Sequence, residues 1–112
     1  MRQAELFKKL KKDVLGSTYD LSVAFLSPAE MQKVTLRSKK QDRVSNVLSF
    51  PLSKQSGEIL ICKKAAAPYT LAYLFIHGLF HLKGLKHSAR MDSAEQEILQ
   101  RYSLHAKNRH RH

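Results

Sequence analysis

The chain has 112 residues, of which 43% are hydrophobic and 26% charged, and its formal net charge is +11. These values are typical of one small globular domain and exclude a disordered, fibrous or collagen-like chain. The longest apolar stretch, residues 71–82, is interrupted by histidines and falls short of the roughly 20 residues that a membrane span needs, so a membrane anchor is excluded as well.

The composition also bears on domain organisation and compartment. Cys62 is the only cysteine, so no disulfide can form within the chain. No stretch has the apolar core of a secretory signal, and no repeat or long linker divides the sequence. We therefore expect one cytoplasmic domain that spans residues 1–112.

The first half of the chain predicts a helix, a strand and a second helix. Apolar residues at helical spacing over residues 4–15 predict an amphipathic helix that ends at Gly16. The apolar run 21–26 is typical of a strand. The segment that begins at Ser27 has an N-cap residue, a proline at the first helical position and a glutamate three residues after the cap, which predicts a helix over residues 28–36.

Two short strands and two helices are predicted for the second half. Residues 46–52 and 58–62 are apolar strand candidates joined by the polar segment SKQSG, which fits a hairpin or a loop with Gly57 at its end. Because proline has no amide donor, Pro51 indicates that the first of them lies at a sheet edge or that its pairing ends there. A long apolar helix over residues 69–83 and a last helix over residues 91–104 follow. The predicted fold class is therefore α+β, with a small mixed β-sheet packed with helices.

Three histidines fall in the long apolar helix and in the turn after it. His77 and His81 are four residues apart, so both side chains project from one face of a helix at a separation that lets them reach one ion. Gly84 lets the chain turn back, and His87 can then approach the same point. Three nitrogen ligands leave a fourth tetrahedral position open, as in catalytic zinc sites. The pattern predicts one Zn2+ per chain, in preference to hydrogen-bonded core histidines.

The residue directly after the first histidine distinguishes this site from that of a peptidase. Metzincin peptidases share the histidine spacing, but there the residue after the first histidine is a glutamate that serves as general base. Here it is Gly78, and no acidic residue lies between Glu58 and Met91. This argues against peptide hydrolysis and favours a polyanionic substrate, which a nearby carboxylate would repel.

Basic residues concentrate in three runs, at residues 8–12, 37–40 and 101–112. Any one run is explained by a solvated surface that keeps the protein soluble. Three runs of one sign on a small domain produce a field that attracts polyanions and raises their encounter rate. We therefore expect RNA or DNA as the partner.

Four segments resemble motifs of the YbeY family, the bacterial zinc-dependent endoribonucleases also called rRNA maturation factors. HGLFHLKGLKH at residues 77–87 resembles the family motif H-G-x-L-H-L-x-G-y-D-H. NVLSFP at residues 46–51 and GEI at residues 57–59 are similar to the family's strand motifs, and Met91 with Glu95 is similar to the M-x3-E of its last helix. The four segments occur in the family's order.

The resemblance implies a metal-dependent endoribonuclease that hydrolyses phosphodiesters of single-stranded RNA. It implies roles in 16S rRNA 3′-end maturation and in ribosome quality control, with ribosomal RNA and the small ribosomal subunit as partners and no membrane. The bound zinc would be held by His77, His81 and His87, and would polarise a phosphate oxygen or activate water.

Several positions depart from the family pattern. The family arginine that assists at the phosphate has two possible counterparts, since Arg37 matches it in kind and Lys39 in spacing, and either is a candidate catalytic cation. We predict that Lys39, Lys40 and Lys86 bind substrate. Lys86 replaces the family aspartate before the third histidine, which either removes an acceptor for a ligand imidazole or adds a phosphate contact. The stretch between residues 58 and 77 is shorter than in the family and is expected to omit a helix.

Two other functions stay open on the sequence alone. A non-catalytic or weakly catalytic RNA- or ribosome-binding factor would retain the basic surface and the zinc site. A zinc hydrolase of another substrate is a more distant alternative. Metal content, and cleavage of single-stranded RNA with and without chelator, distinguish the three.

Overall fold

Four helices and three strands make up the part of the chain that the computed structural model describes, residues 1–108. They follow one another as α1 (Gln3–Leu15), β1 (Asp20–Phe25), α2 (Pro28–Lys39), β2 (Val47–Ser53), β3 (Ser56–Ile61), α3 (Leu71–Leu82) and α4 (Ala89–Arg101). A single 3-10 turn, Lys63–Ala65, precedes α3. Each of these helices and strands overlaps a segment that the sequence predicted. Residues 109–112, the end of the third basic run, lie outside the described residues.

Side chains close to the helix starts determine where α2 and α4 begin. The Ser27 hydroxyl accepts a hydrogen bond from the Glu30 amide at 3.2 Å, and the Glu30 carboxylate accepts one from the Ser27 amide at 2.9 Å. This reciprocal pair satisfies two amides that have no partner within the helix. The Ser88 hydroxyl accepts from the Met91 amide at 3.2 Å. The last helix therefore begins at Ala89, two residues before its predicted start.

The three strands form one mixed sheet in the order β1-β3-β2. β1 runs parallel to β3, and β2 runs antiparallel to it, which confirms the predicted mixed sheet. Pro51 lies on the edge strand β2 opposite Gly57, as its missing amide donor requires. Of the hairpin and the loop that the sequence left open, the structure has the hairpin: the turn consists of Lys54 and Gln55, and Ser53 and Ser56 belong to the strands.

Helices cover both faces of this sheet. α1, α3 and α4 share one buried core with the central strand, built from residues such as Leu10, Ile59, Phe75, Leu79 and Ile98. On the other face of the sheet, Met31 of α2 packs with Leu48, Leu60 and Cys62. The rings of Phe7 and Phe75 stack with their centroids 3.9 Å apart and so fasten α1 to α3. Burial of α3 between α1, α4 and the sheet fixes the direction in which its histidines point.

Within residues 1–108, no helix combines the length and the apolar character that crossing a membrane requires.

Candidate metal centre

The two helical histidines face each other at the C-terminal end of α3. Thr70 caps this helix, since its hydroxyl accepts a hydrogen bond from the Tyr73 amide at 3.1 Å. The helix then continues unbroken to Leu82, which places His77 and His81 one turn apart on the same face. Their Nε2 atoms are 3.1 Å apart. As the sequence predicted, the four-residue spacing therefore places both imidazoles close enough to reach one ion.

The turn after α3 brings the third histidine to the other two. Gly84 adopts φ 103°, a left-handed conformation that glycine accepts without a steric penalty. The Leu85 amide donates to the Phe80 carbonyl at 3.0 Å and the Gly84 amide to the His81 carbonyl at 3.0 Å, which is the Schellman pattern of a helix end. The exposed His87 ring then lies with its centroid 4.9 Å from that of His77 and 4.7 Å from that of His81.

The outer ring nitrogens of the helical histidines have hydrogen-bond acceptors. Nδ1 of His77 lies 2.6 Å from a Glu95 carboxylate oxygen, and Nδ1 of His81 lies 3.1 Å from the Leu85 carbonyl. Because a carboxylate and a carbonyl can only accept, each Nδ1 carries the proton and each Nε2 keeps its lone pair. The turn at Gly84 therefore supplies an acceptor to His81 as well as a third ligand.

This donor set fits a metal ion. Each of the three histidines offers a nitrogen, and the three nitrogens lie within 4.8 Å of one another. Tetrahedral nitrogen ligands at about 2.05 Å from an ion are separated by about 3.3 Å, close to the observed Nε2 separation of His77 and His81. Two facing lone pairs at this distance repel each other unless a cation lies between them. His77, His81 and His87 can therefore hold one metal ion together.

Burial keeps His81 in the neutral form that binds metal. Desolvation lowers the pKa of His81 below its usual value, and the positive charge of a protonated His77 lowers it further. The hydrogen bond to the Leu85 carbonyl acts in the opposite direction, but its effect is smaller than that of burial. A neutral imidazole is the metal-binding form, so this shift favours metal binding by His81.

Glu95 of α4 belongs to the site, although the sequence analysis gave it no role there. Only 2% of its surface is exposed, and its second carboxylate oxygen accepts from the Tyr73 hydroxyl at 3.4 Å. Burial and the Glu95 charge raise the pKa of Tyr73 to about 12, so this phenol stays protonated. The signal that could have identified Glu95 is an acidic residue at an apolar position of an amphipathic helix, where an uncompensated charge is costly.

The expectation that carboxylates are absent from the neighbourhood is therefore wrong. α4 folds back beside α3 and brings Glu95 to His77 and Asp92 to the wall of the adjoining cavity. Distance along the chain concealed both residues.

Gly78 is explained by the packing of α3 on the sheet. A Cβ atom at this position would lie 2.9 Å from the Ser49 hydroxyl and 3.0 Å from Ile59 Cδ1. The missing side chain lets the helix approach β2 closely enough for Ser49 to donate to the Gly78 carbonyl at 3.2 Å. A glutamate could not be accommodated here, which excludes the metzincin arrangement on steric grounds as well.

A cavity of about 710 Å3 opens beside the histidines. Two cations, Lys39 at the end of α2 and Arg43 in the loop before β2, line this cavity together with all three histidines. Arg37 and Lys40, which the sequence analysis also proposed, do not line it. Arg43 was missed because it lies in a loop, outside any recognisable pattern.

Lys86 lies on a different surface. Its side chain lines a shallow groove with Lys83 and Arg90, outside the cavity of the histidines. The acceptors that orient His77 and His81 are Glu95 and the Leu85 carbonyl. The aspartate that Lys86 replaces is therefore not required to orient either helical histidine.

Together, the mixed sheet, the covering helices and the three converging histidines define an α+β protein in which three histidines are arranged so that they could hold one metal ion. The family model described as Endoribonuclease YbeY matches residues 2–106. The chain belongs to the YbeY family, which confirms the resemblance seen in the sequence motifs.

Individual relatives agree with this assignment. The chain is 31% identical over 106 residues to an endoribonuclease YbeY of Campylobacter jejuni strain RM1221, with 79% of this chain and 78% of that protein covered. It is 32% identical over 109 residues to the endoribonuclease YbeY of Rubrobacter xylanophilus, with 94% and 78% covered. The solution structure of TM1509 from Thermotoga maritima shares the fold, with a TM-score of 0.57 at 24% identity over 89% of this chain and 81% of that one.

Proposed function

We propose that this protein is a zinc-dependent endoribonuclease that cleaves phosphodiesters of single-stranded RNA, and that residues 1–112 act as one catalytic domain. The observation that carries the proposal is the convergence of three histidines at a cation-lined cavity in a member of the YbeY endoribonuclease family. An ion held by three neutral imidazoles retains a position for a phosphate oxygen or water.

The residues around the ion would have different roles. His77, His81 and His87 would hold zinc, which supplies Lewis acidity toward a phosphate oxygen and lowers the pKa of water. Glu95 and the Leu85 carbonyl hold the helical histidines in the correct tautomer. Lys39 lines the cavity and would neutralise charge that develops on the phosphate, whereas Arg37 does not line it. We therefore propose Lys39 as the catalytic cation.

The electrostatic character of the molecule supports an RNA substrate. The formal charge of +11 attracts a polyanion from a distance, and Lys39 and Arg43 provide fixed cations inside the cavity. Asp92 also lines the cavity, so the cations bind phosphate in competition with a local carboxylate.

We propose 16S rRNA 3′-end maturation and ribosome quality control as the biological roles, and the small ribosomal subunit as a partner. These roles rest on the resemblance of the motifs to the YbeY family. We further propose the cytoplasm as the compartment, since the buried Cys62 is a free thiol and suits a reducing environment.

The test is cleavage of a short end-labelled single-stranded RNA by protein purified without an affinity tag, with and without chelator and with zinc added back. We expect about one equivalent of zinc and chelator-sensitive cleavage. His81→Ala should lose both. His105→Ala is the matched control, since His105 is exposed and lies outside the cavity, and it should retain both.

A second comparison tests the assignment of the cation. Lys39→Ala should lower kcat with zinc content unchanged, whereas Arg37→Ala should leave kcat near that of the unmodified protein. RNA binding without cleavage, at full zinc content, would contradict the nuclease and support a non-catalytic RNA-binding factor. Zinc bound by the terminal His110 and His112, which lie outside the described residues, would add to the measured content. Zinc content is therefore also measured on a chain truncated after Asn108.

A further inference from the structure

A row of aromatic rings leads along α3 to the metal centre. Tyr73 and His77 lie one turn apart on the same face of α3, and Tyr69 lies just before the helix, next to its N-cap residue Thr70. The rings of Tyr69 and Tyr73 stack with centroids 5.1 Å apart and an interplanar angle of 24°. The Tyr73 ring in turn lies 5.8 Å from the ring of His77. The aromatic surface is thus continuous with the first metal ligand.

The two tyrosines differ from the core aromatics of α3. Phe75 and Phe80 are buried, with 1% and 6% of their surfaces exposed. Tyr69 and Tyr73 are only partly buried, and both line the cavity that contains the histidines. Part of each tyrosine packs on the protein core, and part remains available to a ligand in the cavity.

Cations surround this aromatic surface. Lys39 and Arg43 line the same cavity, and the Lys107 ammonium lies 5.9 Å from the centre of the Tyr69 ring. Aromatic rings bordered by Lys and Arg are the combination with which proteins bind single-stranded nucleic acids, because the rings stack on bases while the cations follow the phosphates.

We propose that Tyr69 and Tyr73 form a stacking site for one unpaired nucleobase of the RNA, next to the phosphate at the metal centre. This inference rests on the proposed nuclease function. A base inside a duplex is already stacked and paired, so it can reach the tyrosines only after the helix opens. The stacking site therefore selects single-stranded RNA, and it does so without preference for sequence, since every base has a π-face.

The test separates base stacking from phosphate binding. The probe is a 2′-O-methyl oligonucleotide, which lacks a free 2′-hydroxyl at every position, and one base at a time is removed along it. For the zinc-loaded protein, we expect one position at which loss of the base weakens binding about 5- to 100-fold, the usual scale for one stacked base. Tyr69→Leu should abolish this dependence, and Tyr69→Phe, which keeps the ring, should retain it.

Fluorescence provides a second readout. The chain contains four tyrosines and no tryptophan, so its intrinsic emission comes from tyrosine. Binding of the intact probe should quench this emission more strongly than binding of the probe that lacks the critical base. Tyr69→Leu should remove the difference between the two probes.

A flat base-removal profile for the unmodified protein would overturn the stacking site, whether or not the variants fold. So would equal base dependence in a folded Tyr69→Leu variant. A different result would contradict the nuclease function alone: unmodified RNA would stay intact, while the base-removal profile would still show its one sensitive position.

Discussion

The Glu95 carboxylate fixes which nitrogen of His77 faces the metal position. It accepts from Nδ1 at 2.6 Å and is 2% exposed, so the contact is shielded from solvent. Such acceptors raise the basicity of a ligand imidazole and hold its ring in place.

Replacement of Glu95 should therefore weaken zinc binding. We expect Glu95→Ala to lower zinc affinity about 10- to 100-fold, the usual effect of removing an acceptor from a ligand histidine. Glu95→Gln keeps an acceptor oxygen and should lose less. Titration with a competing chelator measures both. Tyr73→Phe is the control, since it removes only the 3.4 Å contact to Glu95, and an equal loss in that variant would contradict the role assigned to the His77 contact.

Lys86 gives a second prediction at this scale. Since it lies outside the cavity and the helical histidines have other acceptors, Lys86→Asp should change zinc affinity far less than Glu95→Ala does. The substitution reverses a charge beside Lys83 and Arg90, so it should weaken RNA binding at low salt. Zinc titration and RNA binding measure the two effects. A rise of about tenfold or more in zinc affinity would show instead that aspartate is the better neighbour for the ligands.

At the scale of single elements, α3 depends on its close approach to the sheet. Alanine at position 78 would gain up to about 1 kcal/mol of helix propensity over glycine. Its methyl group, however, would lie 2.9 Å from the Ser49 hydroxyl, closer than Cβ atoms are found, and in tight contact with Ile59 Cδ1 at 3.0 Å. Overpacking of this kind costs about 1–3 kcal/mol, so the steric cost outweighs the propensity.

We therefore expect Gly78→Ala to lower the free energy of unfolding by about 1–2 kcal/mol. Urea denaturation of the metal-free protein measures this directly. The double variant Gly78→Ala with Ser49→Gly should recover part of the loss, because it removes one of the two contacts. A net gain in stability from Gly78→Ala alone would mean that the gain in helix propensity exceeds the steric cost and that α3 can shift away from the sheet.

The helices and strands also show which sequence signals are sufficient to predict local structure. The capping box at Ser27 and Glu30 and the left-handed Gly84 were recognisable because their partners lie within a few residues. For the segment between β2 and β3, the sequence left a hairpin and a loop open, since the pairing of Ser53 with Ser56 depends on the register between the two strands. Register follows from packing against the helices rather than from the turn residues alone.

At the scale of the whole molecule, the positive charge should govern RNA affinity. Each phosphate contact releases counterions, so the logarithm of affinity should fall linearly with the logarithm of salt concentration. Neutralising Lys39 and Arg43 together should reduce the slope by about 0.7 for each contact that is lost. Neutralising the lysines of α1 should change the slope less, since Lys8 and Lys11 line a separate groove beside β1.

Binding isotherms over a series of salt concentrations measure these slopes for the unmodified protein and both variants. An equal reduction in the two variants would place part of the RNA on α1. An unchanged slope after loss of Lys39 and Arg43 would exclude the cavity as the phosphate-binding surface.

The sequence by itself determined the helices and strands, the mixed α+β class and the three histidines. These features follow from local spacing: apolar periodicity selects an element, caps end it, and a four-residue interval places two imidazoles on one helical face. Only the tertiary structure decided which other residues join the site. Glu95 and Asp92 reach it because α4 folds back beside α3, and Arg43 because the loop before β2 borders the same cavity, whereas Lys86 lines a separate groove. Contacts between segments far apart in the chain leave no spacing that a sequence pattern can show.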